Sequence, residues 1–357
     1  MNKLFVSFFL FITLLGSCSK VVLVKDEKPK EEDQSPPEPP PDGDRPFITS
    51  VNGVWNNNAT VTINGIRFGE KAIAKPVIWD NMETGAFNPD WTNTTGLSIN
   101  TDNNRHPGSS YNGFHNFKSG TAGNGYFSGG TNSQTWFVQY WFKLGSNWDW
   151  GNGTDGTAGG NLANVKYFRM WSTGSTSENF VIANHGFAGG ESLFANENIA
   201  NGYYFWASQP EMTKDVWHLL EFEYKDSDID QPNGEIRMWF DGVKKLELTN
   251  MVTRKASADF KRPYNVGFYD SWNGTNVSDD FYYMDDAYID NTWSRVMLGN
   301  ASTFSNCTIR EIQPATSWTS TSISIKANLG MLSTGSAYLY VIDSSGKVNE
   351  KGYLISR

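Results

Sequence analysis

Cysteine is scarce. Beyond Cys18, which directly follows an N-terminal apolar run, the 357-residue chain holds only Cys307. A single cysteine in the folded part makes neither an intramolecular disulfide nor a cysteine-based zinc site, so stability rests on a large buried core. Charge is also thin, at 19% of residues, and the balance is −9, from 29 basic and 38 acidic side chains. That balance argues against a nucleic acid partner. No apolar run reaches the ~20 residues that a membrane-spanning helix needs. No segment carries an amphipathic helical stripe longer than about two turns. A phosphate-binding glycine loop, a zinc motif and a nucleophile elbow are all missing. What the chain has instead is aromatic and turn residues: 15% Phe, Trp and Tyr, 14 of them Trp, with 34 Gly. This composition fits an extracellular β protein.

The N-terminus has the layout of an export signal. Lys3 supplies the positive end, and residues 4–15 are apolar. Leu15-Gly16-Ser17-Cys18 then resembles the lipobox of bacterial lipoproteins. The resemblance implies a signal peptide over 1–17, lipidation of Cys18, and a membrane partner reached through that lipid. A plain secretory signal with an incidental cysteine is the other reading. Ser19 rather than Asp follows the anchor, which resembles lipoproteins sorted to the outer membrane, and Lys25-Asp26-Glu27 is similar to the acidic export clusters of surface lipoproteins. The expected location is the cell envelope, on the outer membrane, with surface exposure left open.

Residues 18–45 read as a tether. Pro29, Pro36, Pro37, Pro39, Pro40 and Pro41 stand among acids, and residues 21–45 alone carry −4. Such sequence favours extended polyproline conformation, at ~3 Å per residue, and buries no core. From Pro46 the pattern becomes β. Phe47-Ile48-Thr49-Ser50-Val51 runs into Asn52-Gly53, and Ala59-Thr60-Val61-Thr62-Ile63 into Asn64-Gly65. These segments resemble the opening half of a TIG domain, a small immunoglobulin-like sandwich. Ser317 to Ile325 and Gly335 to Gly346, at the other end of the chain, resemble its closing half. The resemblance implies one domain, residues 46–80 plus 305–357, split by an insertion at 81–304. Two unrelated β segments are the alternative.

The insertion is also β in pattern, with strands expected around residues 136–143, 164–171, 179–184, 202–206, 217–225, 234–242, 243–248 and 280–290. Trp217-His218, Glu221 and Tyr224, followed by Asn233-Gly234, Ile236-Arg237, Trp239 and Asp241-Gly242, resemble a hairpin of the concanavalin A-like jelly roll. That superfamily contains lectins, glucanases and polysaccharide lyases. The expected fold is therefore all-β: a jelly-roll sandwich inserted into a small immunoglobulin-like one.

A jelly-roll sheet accommodates glycans when aromatic faces stack on sugar rings and charged or amide groups meet hydroxyls and carboxylates. Alternation puts Tyr167, Arg169 and Trp171 on one side of their strand, and Gln139, Trp141 and Lys143 on one side of theirs. We expect these residues at a groove, with Asn184 and Tyr204, although each Trp is as readily a core residue and Arg169 as readily a buried salt bridge. Glucanase-type hydrolysis needs paired carboxylates. Their Glu-x-Asp-x-x-Glu strand is absent, and Glu221 and Glu223 fall on the predicted convex sheet. A lyase needs a cation or amide against the uronate carboxylate and a Tyr or His to take the adjacent proton. Arg169 with Tyr167 or His185 supplies that set, His185 being otherwise a loop histidine. His218 reads as structural, and His106 and His115 fall in a stretch that would form a loop over the groove. No metal or cofactor is required, although a structural calcium on Asp80, Asp285 and Asp286, or along residues 149–155, is an open alternative. The function classes are a polysaccharide-binding lipoprotein, a polysaccharide lyase and a structural or adhesive surface protein.

Overall fold

The strand Thr135–Leu144 organises the molecule, because nine of its ten residues are buried. Its even positions, Trp136, Val138, Tyr140, Phe142 and Leu144, enter one hydrophobic core, while Phe137 enters another. A strand covered on both faces must lie between two packed layers. The computed structural model describes residues 43–117, 125–126, 132–148, 166–172, 178–187, 190–199, 202–208, 211–256, 259–266 and 279–356. Cys18, residues 1–17, most of the tether and residues 149–155 lie outside these. All described residues fall within one compact unit, Glu38–Arg357.

The layer on the even side is a two-sheet antiparallel sandwich. One sheet has eight strands, in the order Val243–Met251, Gly234–Phe240, Trp217–Lys225, Thr135–Leu144, Asp280–Asp290, Asn112–Phe117 and Ser98–Asn100, with Ile78–Asp80 also paired to Asp280–Asp290. The other has six, in the order Gly202–Ser208, Gly190–Glu197, Asn179–Phe187, Lys166–Trp171, Arg262–Val266 and Gly125–Tyr126. Phe168, Met170, Phe180 and Ile182 from the six-stranded sheet meet Leu220, Phe222, Ile236, Met238 and Tyr282 from the eight-stranded one. The chain is all-β, as expected, with antiparallel pairing throughout these sheets and only two short 3-10 turns, Phe304–Asn306 and Gly330–Leu332, among the described residues.

The layer on the odd side is a smaller sandwich of two four-stranded sheets. Phe47–Asn52, Thr60–Ile66, Ser322–Lys326 and Ala315–Trp318 form the first; Arg310–Gln313, Arg295–Gly299, Ala337–Ile342 and Tyr353–Ile355 form the second. Val61, Ile63, Phe68, Leu298, Ile323, Ile325, Leu339 and Val341 fill its core. Two strands sit across the sequence boundaries. Ile78–Asp80 pairs into the eight-stranded sheet, and Arg295–Gly299 pairs with Arg310–Gln313 and Ala337–Ile342. Arg295–Gly299 shows no alternation because all five residues are buried: Val296 and Leu298 face the small core, and Met297 the layer between the sandwiches.

That layer combines apolar packing with buried ion pairs. Phe137, Tyr288, Trp293, Met297, Ile312 and Tyr340 pack together. Glu221 and Glu223 share a face, as alternation predicts, and it is the face against the small sandwich. Arg310 Nη1 lies 3.1 Å from Glu221 Oε2, and Arg295 Nη1 lies 2.9 Å from Glu223 Oε1. Burial pushes the Glu221 carboxyl above its ordinary range, against the pull of Arg310. Arg105 is held by Glu311 at 2.8 Å and by Asp286, with its guanidinium 4.7 Å over the Trp141 ring. Gly330, at φ +50°, backs this knot: a Cβ there would run into the Glu311 carboxylate. The pairs join groups far apart in sequence, so they fix one sandwich against the other.

Candidate functional site

The strand Lys166–Trp171 pairs with Asn179–Phe187 through a bulge. Lys166 stands opposite Ala183 and Phe168 opposite Ile182, so Tyr167 is the extra residue. The bulge breaks the alternation on which Tyr167, Arg169 and Trp171 were expected to share a side. Tyr167 turns into the core beside Phe168. Its ring is 5.4 Å from Phe142, and its carbonyl accepts from the Tyr140 hydroxyl at 2.9 Å. It is sealed from solvent and cannot serve a groove as base or ligand.

Arg169 and Trp171 remain on the outer face of the six-stranded sheet, both half-buried. The Arg169 guanidinium lies 4.1 Å from the Trp171 ring centre. Trp171 stacks in turn on Tyr264, at 5.1 Å with 15° between planes. A cation over an aromatic face is attracted by the ring quadrupole and is held flat. The ladder extends this arrangement, since directly paired residues share a face. Arg169 stands opposite Val181 on one side and Asn265 on the other; Trp171 stands opposite Asn179 and Arg262; Lys166 stands opposite Ala183. Val181 and Ala183 form a small apolar patch separate from the core. The face thus combines three cations, two amides, two stacked rings and a small-residue floor, with Arg169, Trp171 and Arg262 partly exposed and Lys166, Asn179 and Asn265 buried beneath. Among the described side chains of these rows there is no carboxylate. Such a surface can bind an anionic, hydroxyl-rich chain: rings pack on rings, amides meet hydroxyls, and cations meet carboxylates.

The other expected residues divide. Gln139, Trp141 and Lys143 share a side, but it is the outer face of the eight-stranded sheet, turned toward the small sandwich. Gln139 and Trp141 are buried there, and Lys143 binds Asp215 and Asn103, each at 2.8 Å. They form no groove with Arg169 and Trp171, because the whole thickness of the sandwich separates the two faces. Asn184, His185 and Tyr204 lie in strands, and their own side chains are outside the described set. Their backbones stand opposite Leu193, Ser192 and Ala195 respectively. His218 is structural: Nδ1 is 2.8 Å from Asp241 and Nε2 is 3.0 Å from the Thr213 carbonyl. His115 is buried in the strand Asn112–Phe117 rather than in a loop over a groove, and His106 lies beside the small sandwich. The carboxylates considered for calcium are engaged elsewhere. Asp80 accepts from the Met82 and Asn88 amides and the Trp91 indole, at 2.8–2.9 Å, while Asp285 and Asp286 face Arg105. Among the described residues no group of three or more His, Cys, Asp or Glu side chains is arranged to hold a metal.

Tyr264, Asn265 and Arg262 were not legible in the sequence. Pro263 weakens the strand signal of Arg262–Val266, although that strand lies inside the sheet. The register also adds Tyr126, opposite Asn265, and Tyr203, opposite Asn196, to the row of Arg169.

No protein-family model matches the chain, and no curated protein matches it in sequence. Solved structures do resemble it. The alginate lyase Aly36B is 15% identical, with a TM-score of 0.42 over 61% of this chain and 98% of its own. An endo-β-1,4-glucuronan lyase from the fungus Trichoderma reesei is 13% identical, with a TM-score of 0.42 over 61% of this chain and 96% of its own. The alginate lyase vAL-1 from Chlorella virus is 11% identical, with a TM-score of 0.40 over 60% of this chain and 99% of its own. These are likenesses of fold.

Proposed function

We propose that the chain is an envelope lipoprotein, tethered through Cys18, that binds a uronate-containing extracellular polysaccharide on the outer face of its six-stranded sheet. The observation that carries this reading is the stack of Arg169, Trp171 and Tyr264, flanked by Lys166 and Arg262 in a protein whose net charge is −9. Concentrating cations on one face of an acidic protein is informative, because the overall field would otherwise repel a polyanion. In this reading the small sandwich, resembling a TIG domain split by the insertion, is the stem. The acidic, proline-rich tether holds it away from the membrane. The full mature chain is expected to be retarded in native gels that contain polyuronate, less so as salt is raised, and to run freely in neutral glucan. Equal mobility in both gels would refute the anionic preference.

Anchoring is tested separately. Cys18→Ala is expected to abolish incorporation of labelled fatty acid and to release the protein from the membrane fraction. Unchanged labelling would remove the lipoprotein reading.

A lyase on the same face is the second reading. It would hold the uronate carboxylate on Arg169 while a base takes the adjacent proton and the glycosidic oxygen departs, leaving a new double bond. Tyr167 is excluded as that base by its burial. The register favours Tyr203 or Tyr126, in the row of Arg169, with His185 as the alternative. A lyase raises ultraviolet absorbance on polyuronate and loses the rise in Tyr203→Phe, Tyr126→Phe or His185→Ala. Retardation with no rise across a broad panel leaves binding alone.

A further inference from the structure

A polar cavity of about 130 Å³ lies between the two sandwiches, remote in the fold from the six-stranded sheet. Several stretches of chain meet there. The small sandwich contributes Asn58 and Lys326, the segment after the strand Ile78–Asp80 contributes Asn81 and Glu83, and the loop holding His106 closes a side. The Trp79 indole stands in the wall, its ring edge-on to Tyr288 at 6.4 Å. At the base is Asp286, 2% exposed, in a left-handed backbone conformation at φ +49° within a bulge of the strand Asp280–Asp290. Its Oδ2 accepts from Arg105 and, at 3.1 Å, from Asn328. Its Oδ1 has no hydrogen-bond partner among the described residues. The bulge thus aims a buried carboxylate into the cavity with half its acceptor capacity uncommitted.

We propose that this junction is a second carbohydrate site, for a single neutral pyranose residue. A cavity of this volume is smaller than the ~300–1,000 Å³ of sites for drug-sized ligands, which restricts the occupant to one ring. Amides, an imidazole and a carboxylate oxygen give donors and acceptors in several directions, the combination that vicinal hydroxyls require, and Trp79 adds an aromatic wall. With Asp286 paired to Arg105, Lys326 against Glu83 leaves the lining close to neutral, which suits an uncharged sugar better than a uronate or an aminosugar cation. A metal ion is disfavoured too: the Glu83 carboxylate already accepts from Ser109 and from the Ser110 amide, and the Asp286 carboxylate is neutralised by Arg105.

The test titrates the full mature chain with methyl glycosides of glucose, galactose, mannose and fucose, with methyl glucuronide, and with methyl glucosaminide. The His106 imidazole resonance is the readout, identified as the one of four histidine signals lost in His106→Ala. At least one neutral glycoside should shift that resonance saturably. Isothermal titration should then show affinity falling about tenfold or more in Asn58→Gly and in His106→Ala, with unfolding midpoints unchanged. Asn58 has φ +66°, a conformation glycine adopts freely, so its amide is removable without straining the loop. Trp171→Ala should leave this binding intact, which separates it from polymer binding on the six-stranded face. The proposal is overturned if no neutral glycoside moves the His106 signal, if both variants bind as tightly as the parent, or if the glucuronide or glucosaminide binds better than every neutral sugar.

Discussion

Arg105→Met is expected to lower the stability of the folded chain by about 3–5 kcal/mol, the range for removing one partner of a buried ion pair. The side chain of Arg105 is wholly buried, as is that of Glu311, and those of Asp285 and Asp286 are nearly so. Methionine fills comparable space over Trp141 but leaves three buried carboxylates without their cation. Burial already pushes the Asp285 and Glu311 carboxyls above their ordinary range, and Arg105 is the main force pulling them back. Without it they must take up protons or open to water, and either route loosens the seam between the sandwiches. Asp286→Asn added to Arg105→Met should recover part of the loss, because it removes one of the stranded charges. Lys347→Ala, which breaks the exposed pair with Asp44, should leave the midpoint unmoved. Urea unfolding followed by tryptophan fluorescence measures all of these. An Arg105→Met protein as stable as its parent would show that the buried pairs do not hold the sandwiches together.

The second large effect concerns pH. At the end of the large sandwich, Tyr224 donates to Glu197 at 2.8 Å, Lys261 Nζ stands 3.5 Å from Glu197 and 3.2 Å from Asp226, and Thr253 donates to Asp226 at 2.6 Å. Burial pushes the Glu197 carboxyl from its ordinary 4.5 to about 7, although Lys261 and the Tyr224 hydroxyl pull it down. A carboxyl raised in the folded state favours folding when protonated. Its contribution is therefore complete below about pH 4.5 and is lost as pH rises to 7. Glu197→Gln mimics the protonated form. Parent and variant should match near pH 4.5, and the variant should be the more stable by about 3 kcal/mol at pH 8. A difference that is constant with pH, or that favours the parent at pH 8, would contradict this assignment.

The all-β sandwich is legible because each strand faces two environments, and alternation records them. Legibility fails where that contrast vanishes. Thr135–Leu144 and Arg295–Gly299 are buried on both faces. The sequence of Thr135–Leu144 shows a strand but cannot say which side is solvent, so Gln139, Trp141 and Lys143 read as groove residues while they lie under the small sandwich; Arg295–Gly299, without alternation, gave no strand signal. Tyr167 failed for a different reason. A bulge adds one residue on one strand, and it depends on the partner strand rather than on Lys-Tyr-Phe-Arg-Met-Trp itself. Arg169 and Trp171 share one face because they lie past the bulge, where alternation resumes. Their partner Tyr264 follows Pro263 and gave no strand signal. Glu221 and Glu223 were read correctly as neighbours on one face; Arg237 lies opposite Glu223 in the same hairpin, but Arg310 and Arg295 come from distant segments that only the tertiary fold unites.

The outer face of the six-stranded sheet is the centre of the account, and Trp171 is its most informative residue. Its ring lies between the Arg169 guanidinium and Tyr264, and it is half-buried, so truncation removes a stacking surface without opening the core. The most direct measurement is the affinity of the full mature chain for a uronate polymer, parent against Trp171→Ala and Arg169→Ala, with unfolding midpoints taken on the same samples. The account predicts saturable binding by the parent, weakened about tenfold or more in each variant, a loss of about 1.4 kcal/mol or more. Folding should be preserved in both. Parent-like affinity in both variants would contradict the account.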